Sequence, residues 1–172
     1  MAKQLVVYYS KTGENYFPDG IRSIEKGNTA IAAETVQAAL GADIFEIDTV
    51  KPYAKNYREC CMEAAAEAKS NARPEIKGYV EDVTAYDTIF VCFPCWCGTA
   101  PMCVFTFLEH NDLTGKTILP LCTNEGSGMA NSEKDLANVC KGATVLSGLS
   151  VRGHQVKDSE ELIVSWAREN CK

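Results

Sequence analysis

Histidine is nearly absent: the 172 residues hold only two, His110 and His154. A Ser-His-Asp triad needs a placed histidine, and a structural zinc site needs ligands in spaced pairs. Neither histidine has a partner at such spacing, so neither chemistry is expected. Positive charge is also short. Seventeen Lys and Arg stand against 23 Asp and Glu, a net charge of −6. That excludes a general nucleic-acid binder, which needs clustered cations to neutralise phosphates. No signal peptide is read at the start, where Met1-Ala2-Lys3-Gln4 runs straight into a short apolar segment. No long apolar run survives inspection either. Ile89 to Leu108 carries no charge over 20 positions, but Pro94, Gly98 and Pro101 interrupt it and Thr99 and Thr106 are polar. A strand, a tight loop and a helix explain that stretch better than a membrane span.

Cysteine is the residue in excess. There are nine, at 60, 61, 92, 95, 97, 103, 122, 140 and 171. An odd number with no signal peptide argues against a disulfide framework and for a reducing cytoplasm. Cys92 and Cys122 lie inside apolar strand-like runs and read as small buried hydrophobes. Cys95 and Cys97 fall in a loop and do not fit that reading. Their role stays open between plain thiols and a redox-active pair.

The length fits one domain over residues 1–172, and the 46% hydrophobic content supplies a core. Hydrophobic periodicity gives an alternating order of elements. Strands are read at Gln4–Tyr9, Asp43–Asp48, Thr88–Phe93, Thr117–Cys122 and Thr144–Val151. Helices are read at Thr29–Leu40 with Gly41 ending it, Asn56–Asn71, Pro101–Glu109 and Ser132–Val139 capped by Asn131 or Ser132. On the second helix Tyr57, Cys60, Cys61, Ala64, Ala65 and Ala68 share one face. The last helix opens on Asp158-x-x-Glu161 as a capping box and buries Leu162, Ile163 and Trp166. Five such alternations predict a parallel sheet with helices on both faces. Ligands of such sheets sit at the carboxyl ends of the strands.

Three loops therefore matter. The first runs from Ser10 to Asn28 between strand and helix, and a loop of that length needs a reason. It offers the hydroxyls of Ser10 and Thr12, then Gly13, and ends with Gly27-Asn28-Thr29 at a helix N-terminus. Free amides and the helix dipole favour a phosphate there, and plain N-capping by Asn28 or Thr29 is the competing explanation. The second, Pro94-Cys-Trp-Cys-Gly98, offers Trp96 as a flat stacking surface or as a core side chain. The third, Thr123-Asn-Glu-Gly-Ser-Gly128, allows close backbone approach at its two glycines. Rival motifs fail. Gly115-Lys116-Thr117 has His110 where a P-loop needs its first glycine, and no Cys-x5-Arg follows the first strand. Phe93-Pro94 stands where a response-regulator receiver needs its aspartate.

Together the loops resemble the flavodoxin family. Ser10-x-Thr12-Gly13 and Gly27-Asn28-Thr29 look like that family's phosphate loop split by an insertion at Glu14–Lys26. Ala72-Arg-Pro-Glu75, Gly98-Thr-Ala-Pro-Met102, Phe105-Thr-Phe-Leu-Glu109, Asp112-Leu-Thr-Gly-Lys-Thr117 and Gly126-Ser-Gly128 are similar to one bacterial branch of it. The resemblance implies a three-layer α/β/α flavodoxin-like fold, with a five-stranded parallel sheet in order 2-1-3-4-5, and FMN as cofactor. It implies that Ser10, Lys11, Thr12, Gly13, Asn28 and Thr29 surround the 5′-phosphate. Pro94, Cys95, Trp96, Cys97 and Gly98 on one side, and Thr123, Asn124, Glu125, Gly126 and Gly128 on the other, would sandwich the isoalloxazine. It also implies a peptide beside the flavin that changes orientation with reduction, here Cys97–Gly98. Two departures stand out. Cys97 replaces the second of two adjacent aromatic residues, so one stacking face is lost or supplied by Tyr16 or Phe17. Thr99 and Ala100 follow Gly98 where electron-transfer flavodoxins often carry acids. The implied function is electron transfer between redox partner proteins by a cytoplasmic monomer or weak dimer, without nucleic acid or membrane. The alternative is an FMN-dependent NAD(P)H:quinone-type oxidoreductase.

Overall fold

The computed structural model describes residues 3–171. Its centre is a parallel sheet built from β1 (Gln4–Tyr8), β4 (Asp43–Glu46), β5 (Thr88–Pro94), β6 (Thr117–Asn124), β7 (Thr144–Val145) and β8 (Leu149–Arg152). The order across it is β4-β1-β5-β6-β7, with β8 pairing the far end of β6. With β7 and β8 counted as one interrupted strand, this is the expected 2-1-3-4-5 order.

The strand side chains alternate cleanly between two cores, as a period of two requires. Leu5, Val7, Ile89, Val91, Phe93, Ile118 and Cys122 face one way and meet Val104 and Phe107 of α3 (Met102–His110) and Leu136 of α4 (Ser132–Val139). Val6, Tyr8, Phe90, Cys92, Leu119 and Leu121 face the other way. They meet Ala32, Ala33 and Val36 of α1 (Asn28–Leu40) and Ile163 and Ala167 of α5 (Glu160–Glu169). Cys92 and Cys122 are fully buried, as their strand positions suggest. The fifth helix, α2 (Tyr57–Ser70), lies beside α3. Among the described residues no helix is long and apolar enough to cross a membrane.

Several local expectations change. The fifth strand breaks at 146–148 because Pro120, in mid-β6, has no N–H for the ladder. Gly148 crosses that point so closely that a Cβ would strike the Pro120 carbonyl. The long first loop contains a hairpin, β2 (Gly13–Phe17) and β3 (Gly20–Ile24), forming a separate two-stranded sheet. On α2, Cys61 and Ala65 are exposed and the packed side is Cys60 and Ala64. In α5 the packed residues are four apart, Ile163 and Ala167, which leaves Leu162 exposed; Trp166 is half-buried against Phe90. No Asp158 capping box forms. A 3₁₀ turn at Gly153–Gln155 leads into the helix, Ser159 is its N-cap, and the Ser159 hydroxyl donates to the Gln155 carbonyl at 2.9 Å. Asn131 is the N-cap of α4 but makes no side-chain cap bond, and the buried Ser132 hydroxyl has no partner among the described residues.

Candidate functional site

A cleft of about 250 Å³ opens at the carboxyl ends of β1, β5 and β6, where the strand order reverses. One end is the N-terminus of α1. Its N-cap is Gly27, not Asn28 or Thr29, and no side chain of the helix caps it. The cap comes from upstream: Ser10 Oγ accepts the Ala30 N–H at 3.0 Å. Gly27 fits so tightly that a Cβ would run into Ser10 Oγ and lie 2.6 Å from the Lys11 carbonyl oxygen. The chain thus leaves at Lys11, forms the hairpin and returns to the same point at Gly27.

Ile31 N–H bonds the Gly27 carbonyl, so the first helical amides still lacking a partner among the described residues are Asn28 and Thr29. Both residues line the cleft. Thr29 Oγ1 shares a hydrogen bond with Thr123 Oγ1 at 2.7 Å, joining the helix start to the end of β6. Two amides, two hydroxyls and a helix dipole are donors that an anion could use without an arginine.

Lys11 is the buried cation of the cleft, but its ammonium donates to the carbonyls of Thr12, Ala54 and Lys55 at 3.1, 3.1 and 3.3 Å. It ties the loop before α2 to the hairpin's start, and burial lowers its pKa. Thr12 and Gly13 do not line the cleft. The Thr12 hydroxyl meets the Lys55 ammonium, and Gly13, at φ 83°, packs on Lys55 as the hairpin begins. Glu14 then anchors the hairpin on the N-terminus of α2, accepting from the Tyr57 N–H at 2.7 Å and from Asn56 Nδ2 at 3.0 Å.

The second loop forms one wall. Pro94, Cys95, Trp96 and Cys97 line it, while Gly98 does not. Trp96 lines the cleft and also packs against the core. It stands edge-on to Tyr9 and Tyr53, with centroids 5.2 and 4.9 Å away. The Tyr53 hydroxyl is fixed in turn by Glu67 at 2.7 Å. Tyr16, from the hairpin, and Tyr57, from α2, also line the cleft, with ring centroids 6.2 Å apart. Phe17 is buried elsewhere, under the Arg22 guanidinium.

Cys95 is half-buried. The polar groups beside its sulfur, the Cys122 thiol first and then the Ser127 hydroxyl and the Gly98 N–H, favour the thiolate and bring its pKa down to about 6, against the upward push of burial. Cys122, beside that sulfur and buried, moves far upward; its thiol donates to the Thr123 and Gly128 carbonyls at 3.7 and 3.6 Å. Cys97 is exposed, and all nine cysteines are free. No group of three or more metal-ligating side chains occurs among the described residues.

In the third loop Thr123, Asn124 and Glu125 line the cleft; Gly126 and Gly128 do not. Asn124 shapes the loop, its Oδ1 accepting the N–H of both glycines at 3.0 Å. Glu125 accepts the N–H of His154 at 2.8 Å and pairs with its Nδ1 at 2.6 Å. A carboxylate cannot donate to an anion, so Glu125 positions the 153–154 turn instead. Sequence reasoning missed Asn15, Tyr57, Cys60, Cys61, Ala64 and Gly153 as cleft residues. The α2 residues carried no signal, because nothing local says which helix the hairpin will meet. The hairpin had one, Phe17-Pro-Asp-Gly20, a turn sequence between two short runs.

Residues 22–170 match the flavodoxin family. No curated protein matches. Among solved structures, a candidate flavoprotein from Bacteroides uniformis is 29% identical, covering 97% of this chain and 98% of that one, with a TM-score of 0.78. A second from Bacteroides eggerthii is 28% identical over 95% and 98%, with a TM-score of 0.73. A flavoprotein from Lactobacillus acidophilus, solved in complex with FMN, shares the fold at 19% identity over 92% and 98%, with a TM-score of 0.70.

Proposed function

The chain belongs to the flavodoxin family, and from that premise we propose that it holds one FMN in this cleft and passes electrons between redox partner proteins. What supports this most is the pair of amides at Asn28 and Thr29, without partners among the described residues and in one cleft with Trp96. A phosphate fits the first and a flat ring the second. Gly27, where a Cβ would run into Ser10 Oγ and the Lys11 carbonyl, lets the chain close on itself at the helix start.

Asn28, Thr29 and Thr123 would bind the phosphate by donation, with Ser10 holding the helix start in place. Trp96 would face one side of the isoalloxazine. Tyr16 and Tyr57 would close the other, so the hairpin supplies the aromatic surface that Cys97 does not. FMN supplies the electron chemistry. The protein's part is to orient it, exclude water and set the charge around it. No histidine lines the cleft, which suits a carrier without acid–base catalysis. The net charge of −6 favours basic partners. We place the protein in the cytoplasm as a monomer or weak dimer.

A reductase reading has one observation in its favour. Thr99 and Ala100 are neutral and nearly buried where a carrier's acidic lip would stand. Negative charge there disfavours the fully reduced anion, so its absence raises the potential and suits NAD(P)H:quinone-type chemistry. The test is the protein with FMN, NADPH and a quinone. Reduction by a partner or light alone supports the carrier; steady NADPH oxidation with quinone supports the reductase.

A further inference from the structure

We propose that Cys95 and Cys97 hold the Cys97–Gly98 peptide in one orientation whatever the redox state of the group in the cleft. This rests on the FMN reading above and departs from the reorientation that the resemblance implies.

The peptide is the centre of a closed two-residue turn. Trp96 N–H donates to the Thr99 carbonyl at 2.8 Å, and Thr99 N–H returns to the Trp96 carbonyl at 3.1 Å. Both central residues have positive φ, 53° at Cys97 and 77° at Gly98. That is the type I′ turn, whose first central position tolerates a side chain poorly but does accept one. Reversing the central peptide with the turn closed converts it to type II′. That type reserves its first central position for glycine. Here the first position is Cys97, with a Cβ. Gly98, at the second position, cannot relieve the conflict.

The second hold is the hydrogen the peptide carries. The Gly98 N–H is one of the groups that lower the Cys95 thiol pKa, behind the Cys122 thiol and the Ser127 hydroxyl, which puts it on the sulfur's side of the turn. Reversal would remove that N–H and aim a carbonyl oxygen at an electron-rich sulfur. The flanks are pinned as well. Cys95 N–H donates to the Thr123 carbonyl at 2.9 Å, and Asn131 N–H donates to the Gly98 carbonyl at 2.9 Å. Movement of the turn as a unit would break contacts with both β6 and the start of α4.

The test is NMR of glycine-labelled protein loaded with FMN, oxidised and then reduced with dithionite. In the wild type the Gly98 amide keeps its cross-peak to the Cys95 β-protons in both states. In Cys97→Gly, which suits φ 53° and so folds, the cross-peak is lost in at least one state. Cys95→Ala removes the sulfur and loosens the amide in the same way, whereas Cys171→Ala, outside the cleft, leaves it unchanged. Loss of the cross-peak on reduction of the wild type overturns the proposal, as does Cys97→Gly behaving like the wild type. A protein that takes up no FMN overturns the FMN reading and this inference with it. One that takes up FMN while its Gly98 amide turns overturns only the lock.

Discussion

Ser10 caps a helix to which it does not belong: its hydroxyl accepts the Ala30 N–H at 3.0 Å across 20 residues of chain. That bond closes the base of the hairpin and leaves the Asn28 and Thr29 amides to the cleft. Ser10→Ala should lower stability by about 1 kcal/mol, the usual value of a lost N-cap. Urea unfolding at constant slope measures it. FMN affinity should fall in parallel, because the freed Ala30 amide no longer orients the helix start.

Gly27 is the second support of the same cradle. A methyl group there meets Ser10 Oγ and the Lys11 carbonyl. Gly27→Ala should cost about 1–3 kcal/mol through overpacking and weaken FMN at least tenfold, about 1.4 kcal/mol. Gly20→Ala is the control, since its site is open although its φ is strained. It should leave FMN affinity unchanged.

Trp96→Ala removes an aromatic edge contact with Tyr9 and another with Tyr53. A loss of about 2 kcal/mol in stability is expected for a half-buried tryptophan. Trp96→Phe should keep most of the stability and most of the flavin affinity. Calorimetric unfolding and flavin fluorescence titration separate the two effects.

Cys95 makes stability depend on pH. Its thiol pKa falls from 9.0 to about 6 in the folded chain. Between these values the unfolded state binds the extra proton, so stability rises with pH. The contribution is complete above pH 9 and disappears as pH falls through about 6. Cys95→Ala should flatten the wild-type gain between pH 6 and 8. Equal slopes in urea titrations across that range would remove Cys95 as the cause.

Much of the fold is legible in the sequence. Continuous apolar runs such as Leu5-Val-Val-Tyr8 and Ile89-Phe-Val-Cys-Phe93 are buried on both faces, and such runs identify inner parallel strands. Gly27-Asn28-Thr29 points to the helix start that opens on the cleft. What the sequence hid was long-range. Nothing local says that Ser10 will serve Ala30, that Pro120 will break its neighbour's pairing, or that the hairpin will carry Tyr16 to Tyr57. Thr12 and Gly13 look like parts of the phosphate loop but turn toward Lys55 instead, because the chain departs at Lys11 and only returns at Gly27.

The most direct test of the whole account is titration of cofactor-free protein with FMN, followed by calorimetry and by flavin fluorescence, in the wild type and in Gly27→Ala. The account predicts one FMN per chain, quenched fluorescence beside Trp96, and at least tenfold weaker binding in the variant. A wild type that gains neither heat nor colour, or a variant that binds equally well, would contradict it.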